Sequence, residues 1–469
     1  MPPRRTEKDT MGPLEVPEGT YFGASTQRAV LNFPISGERF NRRFIWALGT
    51  IKQAAAVVNA ELGIVDSAKA RAIATAAEEV ARGDLDDQFV LDVFQTGSGT
   101  STNMNANEVI GNRATEILGG AFGSRLIHPN DDVNQGQSSN DVIPTAIHLA
   151  ALAEIQERLD PALAHLQQAL EQKAEEFWPI IKTGRTHLQD ATPVRLGQEF
   201  KGYAGQVERS RRRLGWACED MEEVALGGNA VGTGINMHPD FPRLTCERIT
   251  EWTGVRIRET ENHFQAQSTI DGVVFASGAV RTTAVSLLKI ANDIRWMGSG
   301  PRAGIGEIDL PAVQPGSSIM PGKVNPVIAE ALTQVCAMAI GNDQGVVIAG
   351  QSGNFELNVM MPVAARNLLQ ALQYLAAATR NFADQLVVNL KATDRGPAMV
   401  EQGLMLVTAL APAVGYDQAA AIAKEAFATG KTVRELARER TSLTADELDR
   451  ILDPRAMVQP GQSFASAGG

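Results

Sequence analysis

From about residue 138 to about residue 388, apolar side chains return every three or four positions, and a chain patterned this way is committed to long helices packed side by side. Ile147, Ala151, Ile155, Leu159, Leu163, Leu166 and Leu170 form one stripe. Phe200, Tyr203, Val207, Leu214, Ala217, Met221 and Val224 form a second, ending at Gly227-Gly228. A third, from about Phe264 to Met297, stops at Gly298-Ser299-Gly300-Pro301, and two more lie near 326–345 and 362–388. At a rise of about 1.5 Å per residue the longest of these helices reach roughly 50 Å. One such bundle leaves apolar stripes uncovered, so self-association is expected.

The rest of the chain divides around this bundle. Residues 1–137 read as a mixed, mostly helical domain, in which Ile45, Leu48, Ile51, Ala55, Val58 and Leu62 keep helical spacing until Gly63. Residues 138–389 form the bundle, 390–458 a small helical domain, and 459–469 a tail expected to be unstructured. Only 5% of residues are aromatic, so alanine and leucine must fill the core, which favours close helix packing. A net charge of -11 without a long Lys/Arg run argues against nucleic acid and anionic membranes as partners. No uncharged run has the length of a membrane span, and no apolar signal core follows Met1. Cys218, Cys246 and Cys336 lie far apart with no CxxC pair, as expected in the reducing cytoplasm and not in a disulfide framework or an iron–sulfur site.

Four polar stretches carry the chemistry. Gln314 to Pro326 (QPGSSIMPGKVNP) brings Ser317, Ser318 and Lys323 to a helix start that Asn325-Pro326 would cap, with Glu330 about one turn inside. Gly184 to Pro193 (GRTHLQDATP) holds His187 in a polar loop, the best-placed group for moving a proton near neutral pH. Gln95 to Asn105 (QTGSGTSTNMN) can wrap an anion with Gly97 and Gly99 and offer Ser98 and Thr100, although it lacks the strand context of a nucleotide loop. His128 to Asp141 (HPNDDVNQGQSSND) ends in Ser138, Ser139 and Asn140, which serve equally as a helix cap and as an anion site. His128, Asp131 and Asp132 lack metal-ligand spacing.

With these stretches quoted, the chain resembles class II fumarases of the aspartase/fumarase superfamily. Gly316 to Pro326 (GSSIMPGKVNP) is similar to the superfamily signature, and the likeness runs from Glu7 to about Met457. Thr186-His187 and Ser138-Ser139-Asn140 favour fumarase over aspartate ammonia-lyase, the same-fold alternative. A non-catalytic protein on a lyase scaffold would have no need of Ser317, His187, Lys323 and Glu330 together.

The resemblance implies a mainly α, three-domain lyase fold whose central bundle takes five helices from each subunit of a homotetramer, a twenty-helix core. It also implies active sites shared by three subunits, and reversible hydration of fumarate to (S)-malate, the tricarboxylic acid cycle step, without metal or organic cofactor. Ser317 is then the base, and His187, oriented by Glu330, handles the hydroxyl. Ser98, Gly99, Thr100, Ser138, Ser139, Asn140, Thr186, Ser318, Lys323, Val324 and Asn325 bind the dicarboxylate. Arg125, His128, Pro129, Asn130 and Asp131 match a second, peripheral dicarboxylate site.

Overall fold

A computed structural model describes residues 3–461; residues 462–469 of the expected tail lie outside the described residues. The chain falls into two compact units, one of residues 1–161, 210–285 and 334–377, the other of residues 162–209, 286–333 and 378–469. The architecture is mainly α, and its few strands form two-stranded sheets.

In the first unit, strands β1 (Arg4–Asp9) and β2 (Gly12–Pro17) pair antiparallel. Their apolar alternation is weak, so the sequence does not announce them; Arg5–Glu7 and Arg28–Asp9 ion pairs support the ladder. Helices α1 (Ala24–Asn32), α2 (Arg42–Glu61), α3 (Ser67–Arg82) and α4 (Thr100–Ile117) follow. Ile45, Ile73, Val80, Val109, Ile110 and Ile127 close the core between them. Glu108, buried on α4, accepts hydrogen bonds from the backbone N–H groups of Gly23, Ser25 and Thr26 and so anchors the start of α1.

The five apolar stripes become long helices. The first runs as α5 (Ser139–Glu154), a π turn (Ile155–Leu159) and α6 (Asp160–Glu176). Nearly every residue of α5 is buried, on all its faces, as an Ala/Leu/Ile helix inside a bundle must be. After α6 come strands β3 (Ile181–Thr186) and β4 (Gln189–Arg195), then the second long helix, α7 (Leu196–Met221). Two short helices, α8 (Phe241–Thr253) and α9 (His263–Ser268), lead to α10 (Asp271–Met297), α11 (Val327–Gly350) and α12 (Met361–Gln385). The third stripe was expected to be unbroken from Phe264; the structure interrupts it at Thr269, leaving α9 separate. By length and composition α10 could cross a membrane, but half of its most apolar window is buried inside the chain, and Arg281 on it pairs with the buried Asp343 of α11.

In the second unit short C-terminal helices, among them Tyr416–Thr429, Val433–Arg440 and Ala445–Ile451, pack Leu410, Ile422, Leu436 and Leu448 into a core of their own. Ile181, at the root of β3, packs on that core. Emptying its middle with Leu436→Ala would cost about 2–5 kcal/mol.

Candidate active site

Two helix starts meet in the first unit. Gly99 takes a left-handed φ of 71° and Thr100 opens α4, while Ser138 caps α5 and Ser139 opens it. Their hydroxyls form one chain: Ser98 Oγ lies 2.7 Å from Thr100 Oγ1, which lies 2.7 Å from Ser139 Oγ. Ser98 and Ser139 are buried, at 7% and 8% exposure. Asn140 is fixed beside them by donating to the Ala230 carbonyl at 2.8 Å. Glycine is required at position 97, where a Cβ would stand 1.7 Å from the Val359 carbonyl oxygen. Two positive helix ends and three rotatable hydroxyls make a receptor for a carboxylate. Ser138 serves as the helix cap that its position suggested. Its oxygen is engaged as the cap, accepting from Asn140 N at 3.2 Å, so it is Ser139 that faces Thr100.

Beneath this receptor lies a residue that the sequence reading missed. Lys52 of α2 is 0% exposed and donates to Asn134 Oδ1 at 2.9 Å. The same oxygen accepts from the side-chain amides of Asn103 (3.2 Å) and Asn107 (3.1 Å) on α4. Asn134 Nδ2 donates in turn to the Gln137 carbonyl at 2.9 Å, which pins the segment leading into α5. Burial pushes the Lys52 ammonium down to about 7, against the pull of Asp141. The signal was present in the sequence: Lys52 stands four residues after Leu48 and three before Ala55, on the apolar stripe of its helix.

The peripheral residues form a π turn, Pro129–Val133, just upstream of Asn134. His128 caps it, with Nδ1 accepting from Asn130 N (3.3 Å) and Asp131 N (3.1 Å), and Arg125 Nη1 lies 3.4 Å from His128 Nε2.

In the second unit the polar loop that carries His187 is shorter than the ten-residue stretch suggested, because strands form on both sides of it. It is the tip of the β3–β4 hairpin, with Thr186 paired to Gln189 and only His187 and Leu188 between the strands. Both have positive φ, 56° and 59°, the pattern of a type I′ turn that Asn-Gly would adopt with less strain. Holding non-glycine residues there costs about 1–3 kcal/mol each, which makes the tip a stored strain at an exposed imidazole.

The signature loop is closed on itself. Gly316 N donates to the Lys323 carbonyl at 2.8 Å, and Asn325 Nδ2 donates to the Gly316 carbonyl at 2.5 Å. A Cβ on Gly316 would lie 2.3 Å from that Lys323 oxygen. Asn325 was expected to cap the following helix; its amide instead ties the loop, and α11 begins at Val327. Inside the loop Ser317 Oγ accepts from Ile319 N at 3.2 Å and Met320 N at 2.9 Å. Lys323, Ser318 and Val324 are exposed, and Glu330 is half-buried on the first turn of α11. Among the described residues of this one chain, neither the Lys323 ammonium nor the Glu330 carboxylate has an ion-pair partner, and no hydrogen bond joins His187 to Ser317, Lys323 or Glu330.

Among the described residues no three His, Cys, Asp or Glu side chains are grouped to hold a metal ion. Burial pushes the Cys218 and Cys336 thiols up to about 12, so neither is poised as a thiolate.

Long helices, one of them preceded by a glycine-tied loop, run through this chain, and residues 12–341 match the family model described as Lyase, which places it among the lyases. Residues 406–459 match a second model, the Fumarase C C-terminus. The chain is 53% identical over 458 residues to the class II fumarate hydratase of Methylorubrum extorquens, covering 97% of each chain. The enzyme of the same name from Halobacterium salinarum gives the same identity and coverage. A solved structure, the class II fumarase of Schistosoma mansoni, superposes with a TM-score of 0.96 at 39% identity, over 98% of this chain and 100% of the other. The chain belongs to the class II fumarate hydratase family.

Proposed function

We propose that this chain catalyses the reversible hydration of fumarate to (S)-malate by acid–base chemistry on a dicarboxylate held between shared elements of a homotetramer. The observation that carries the proposal is the environment of Ser317. A serine hydroxyl is ordinarily a poor base, but two backbone N–H groups already point at its oxygen, where the negative charge of an alkoxide would sit.

In the dehydration direction Ser317 takes the proton from C3 of malate, and the electron pair passes into the adjacent carboxyl group as a doubly charged aci-carboxylate. Lys323 and Asn325 lie on the same loop and donate to that charge. The C2–O bond then breaks with the electron pair going to oxygen, and His187 supplies the proton that lets it leave as water. Glu330 of another subunit orients the imidazole and stabilises its charged form. Ser98, Gly99, Thr100, Ser139, Asn140 and Thr186 hold the carboxylates, with Ser138 acting through its cap, and Ser318 and Val324 flank the reacting centre. Arg125, His128, Pro129, Asn130 and Asp131 form a peripheral dicarboxylate site that feeds or shadows the main one.

Exposed apolar side chains on the long helices, including Trp216, Phe275, Trp296, Met338 and Ile348, support assembly into the tetramer. The unpartnered Lys323 and Glu330 support sites completed by neighbouring subunits. In this reading residues 1–137, 138–389 and 390–458 are the three domains of a cytoplasmic subunit.

The test follows the loss of fumarate's ultraviolet absorbance in chelator-treated protein, with malate identified as product. Ammonia released from aspartate without malate formation would replace this reading with that of an aspartate ammonia-lyase.

A further inference from the structure

The hairpin that carries His187 is riveted at its root by buried charges for which the mechanism above has no use. Glu307, on the segment between α10 and the signature loop, is 2% exposed, and its carboxylate is divided between two cations of β3. Lys182 Nζ lies 3.0 Å from one oxygen and Arg185 Nη2 2.8 Å from the other. Lys182 also meets Glu199 of α7 at 2.9 Å, so two cations and two carboxylates compensate one another around the buried Lys182 and Glu307.

The backbone is shaped to allow this. Residues three apart on a regular strand face opposite sides, so Lys182 and Arg185 should diverge. The β3–β4 register shifts between Thr183 and Arg185, with Gly184 facing both Ala191 and Thr192. The added twist of that bulge turns Arg185 back toward the carboxylate Lys182 already holds. Only glycine fits at the bulge, since a Cβ on Gly184 would lie 2.6 Å from the Thr192 carbonyl oxygen. Glu307 itself cannot drift: its N–H donates to the Met297 carbonyl at 2.8 Å and its carbonyl accepts from Thr393 N at 3.0 Å.

We propose that Glu307 is a positioning residue for the hydration reaction, fixing through Lys182 and Arg185 the hairpin that aims His187; this rests on the reading of His187 as the group that handles the hydroxyl. Two residues beyond Arg185 the chain enters a left-handed turn that its side chains disfavour, so the tip keeps its shape only while the strands beneath it are held. A neutral side chain at 307 would leave the buried Lys182 and the partly buried Arg185 with one carboxylate between them and let the hairpin shift.

The full-length protein with Glu307→Gln should lose turnover by about 100-fold, the penalty of a misplacement near 1 Å, with the KM for malate little changed. Glu307→Asp should recover part of that loss. The deciding measurement is a double-mutant cycle with His187→Asn, a residue that tolerates the left-handed turn. If Glu307 acts through His187, adding Glu307→Gln to His187→Asn leaves the residual turnover unchanged. Undiminished turnover in Glu307→Gln, or losses that multiply in the double variant, would overturn the proposal. Should Glu307→Gln fail to fold, Arg185→Gln, whose side chain is 18% exposed, takes its place with the same expectations. His187→Asn at full turnover would sink the reading of His187 itself, whereas multiplying losses sink only the role of Glu307.

Discussion

In the first unit Ser98, Thr100 and Ser139 already hold one another at 2.7 Å, on helix starts pinned from below by Lys52 and Asn134. In the second, Ile319 and Met320 of the signature loop stand 83% and 51% exposed, and the loop is tied mainly to itself. One region is a set of hydroxyls already ordered and buried; the other is an exposed loop whose lysine has no ion-pair partner among the described residues. Under the proposed function the difference matches two separate demands: rigid, buried donors suit recognition of a carboxylate, and an exposed loop suits groups that must close on a substrate after it has entered.

The largest effect should come from removing the hydroxyl proposed as the proton acceptor. Ser317→Ala is expected to lower kcat by about 1000-fold while KM stays within the range of the parent, as steady-state kinetics with malate would report. Intact turnover would end the assignment and with it the distinction between a binding half and a reacting half. Next in size is a matched pair of glycine substitutions. Gly97→Ala drives a Cβ into the Val359 carbonyl of the packed region and should cost about 3 kcal/mol of stability in urea unfolding. Gly316→Ala meets the Lys323 carbonyl in the exposed loop and should leave the unfolding midpoint almost unmoved while kcat falls. Equal stability losses in the two variants would erase the contrast.

Lys52 sharpens it through pH. The lysine binds its proton up to about 10.5 once the chain is unfolded, but only to about 7 in the folded protein. Between those values the unfolded chain holds more protons, so the penalty of burying the charge is full below pH 7 and is relieved as pH rises. Measured against Lys52→Met, the parent should gain on the order of 2 kcal/mol between pH 7 and pH 9. A flat difference would mean that the ammonium is better solvated than its burial implies. The smallest effect is expected from Ser139→Ala, which removes one donor to a carboxylate and should raise KM about tenfold with a lesser change in kcat.

The long helices and the four polar stretches were legible because period and punctuation are local properties of sequence. The helical spacing from Ile45 to Leu62 and its stop at Gly63 are local, and α2 indeed ends at Glu61, although it starts three residues earlier than that spacing, at Arg42. The β3–β4 hairpin was not legible. His187-Leu188 is not a turn dipeptide by composition, and a bulge, an ion cluster and the core contact of Ile181 help to hold it in that shape. Asn325 looked like a cap because Asn before Pro usually is one; the tertiary need to close the loop took its amide instead. Lys52 escaped notice because a lysine is ordinarily read as solvated, although its place on an apolar stripe pointed inward. These misses share a cause: each depends on partners far away in sequence.

The left-handed tip has a consequence for anyone who would engineer this protein for heat. Replacing His187-Leu188 by Asn-Gly would relieve the backbone, and a search guided by melting temperature alone would select it. Such a winner would be a sturdier molecule with no imidazole at its summit. If His187 handles the hydroxyl as proposed, durability and turnover compete at a single dipeptide, and a screen that rewards only the first will quietly discard the second.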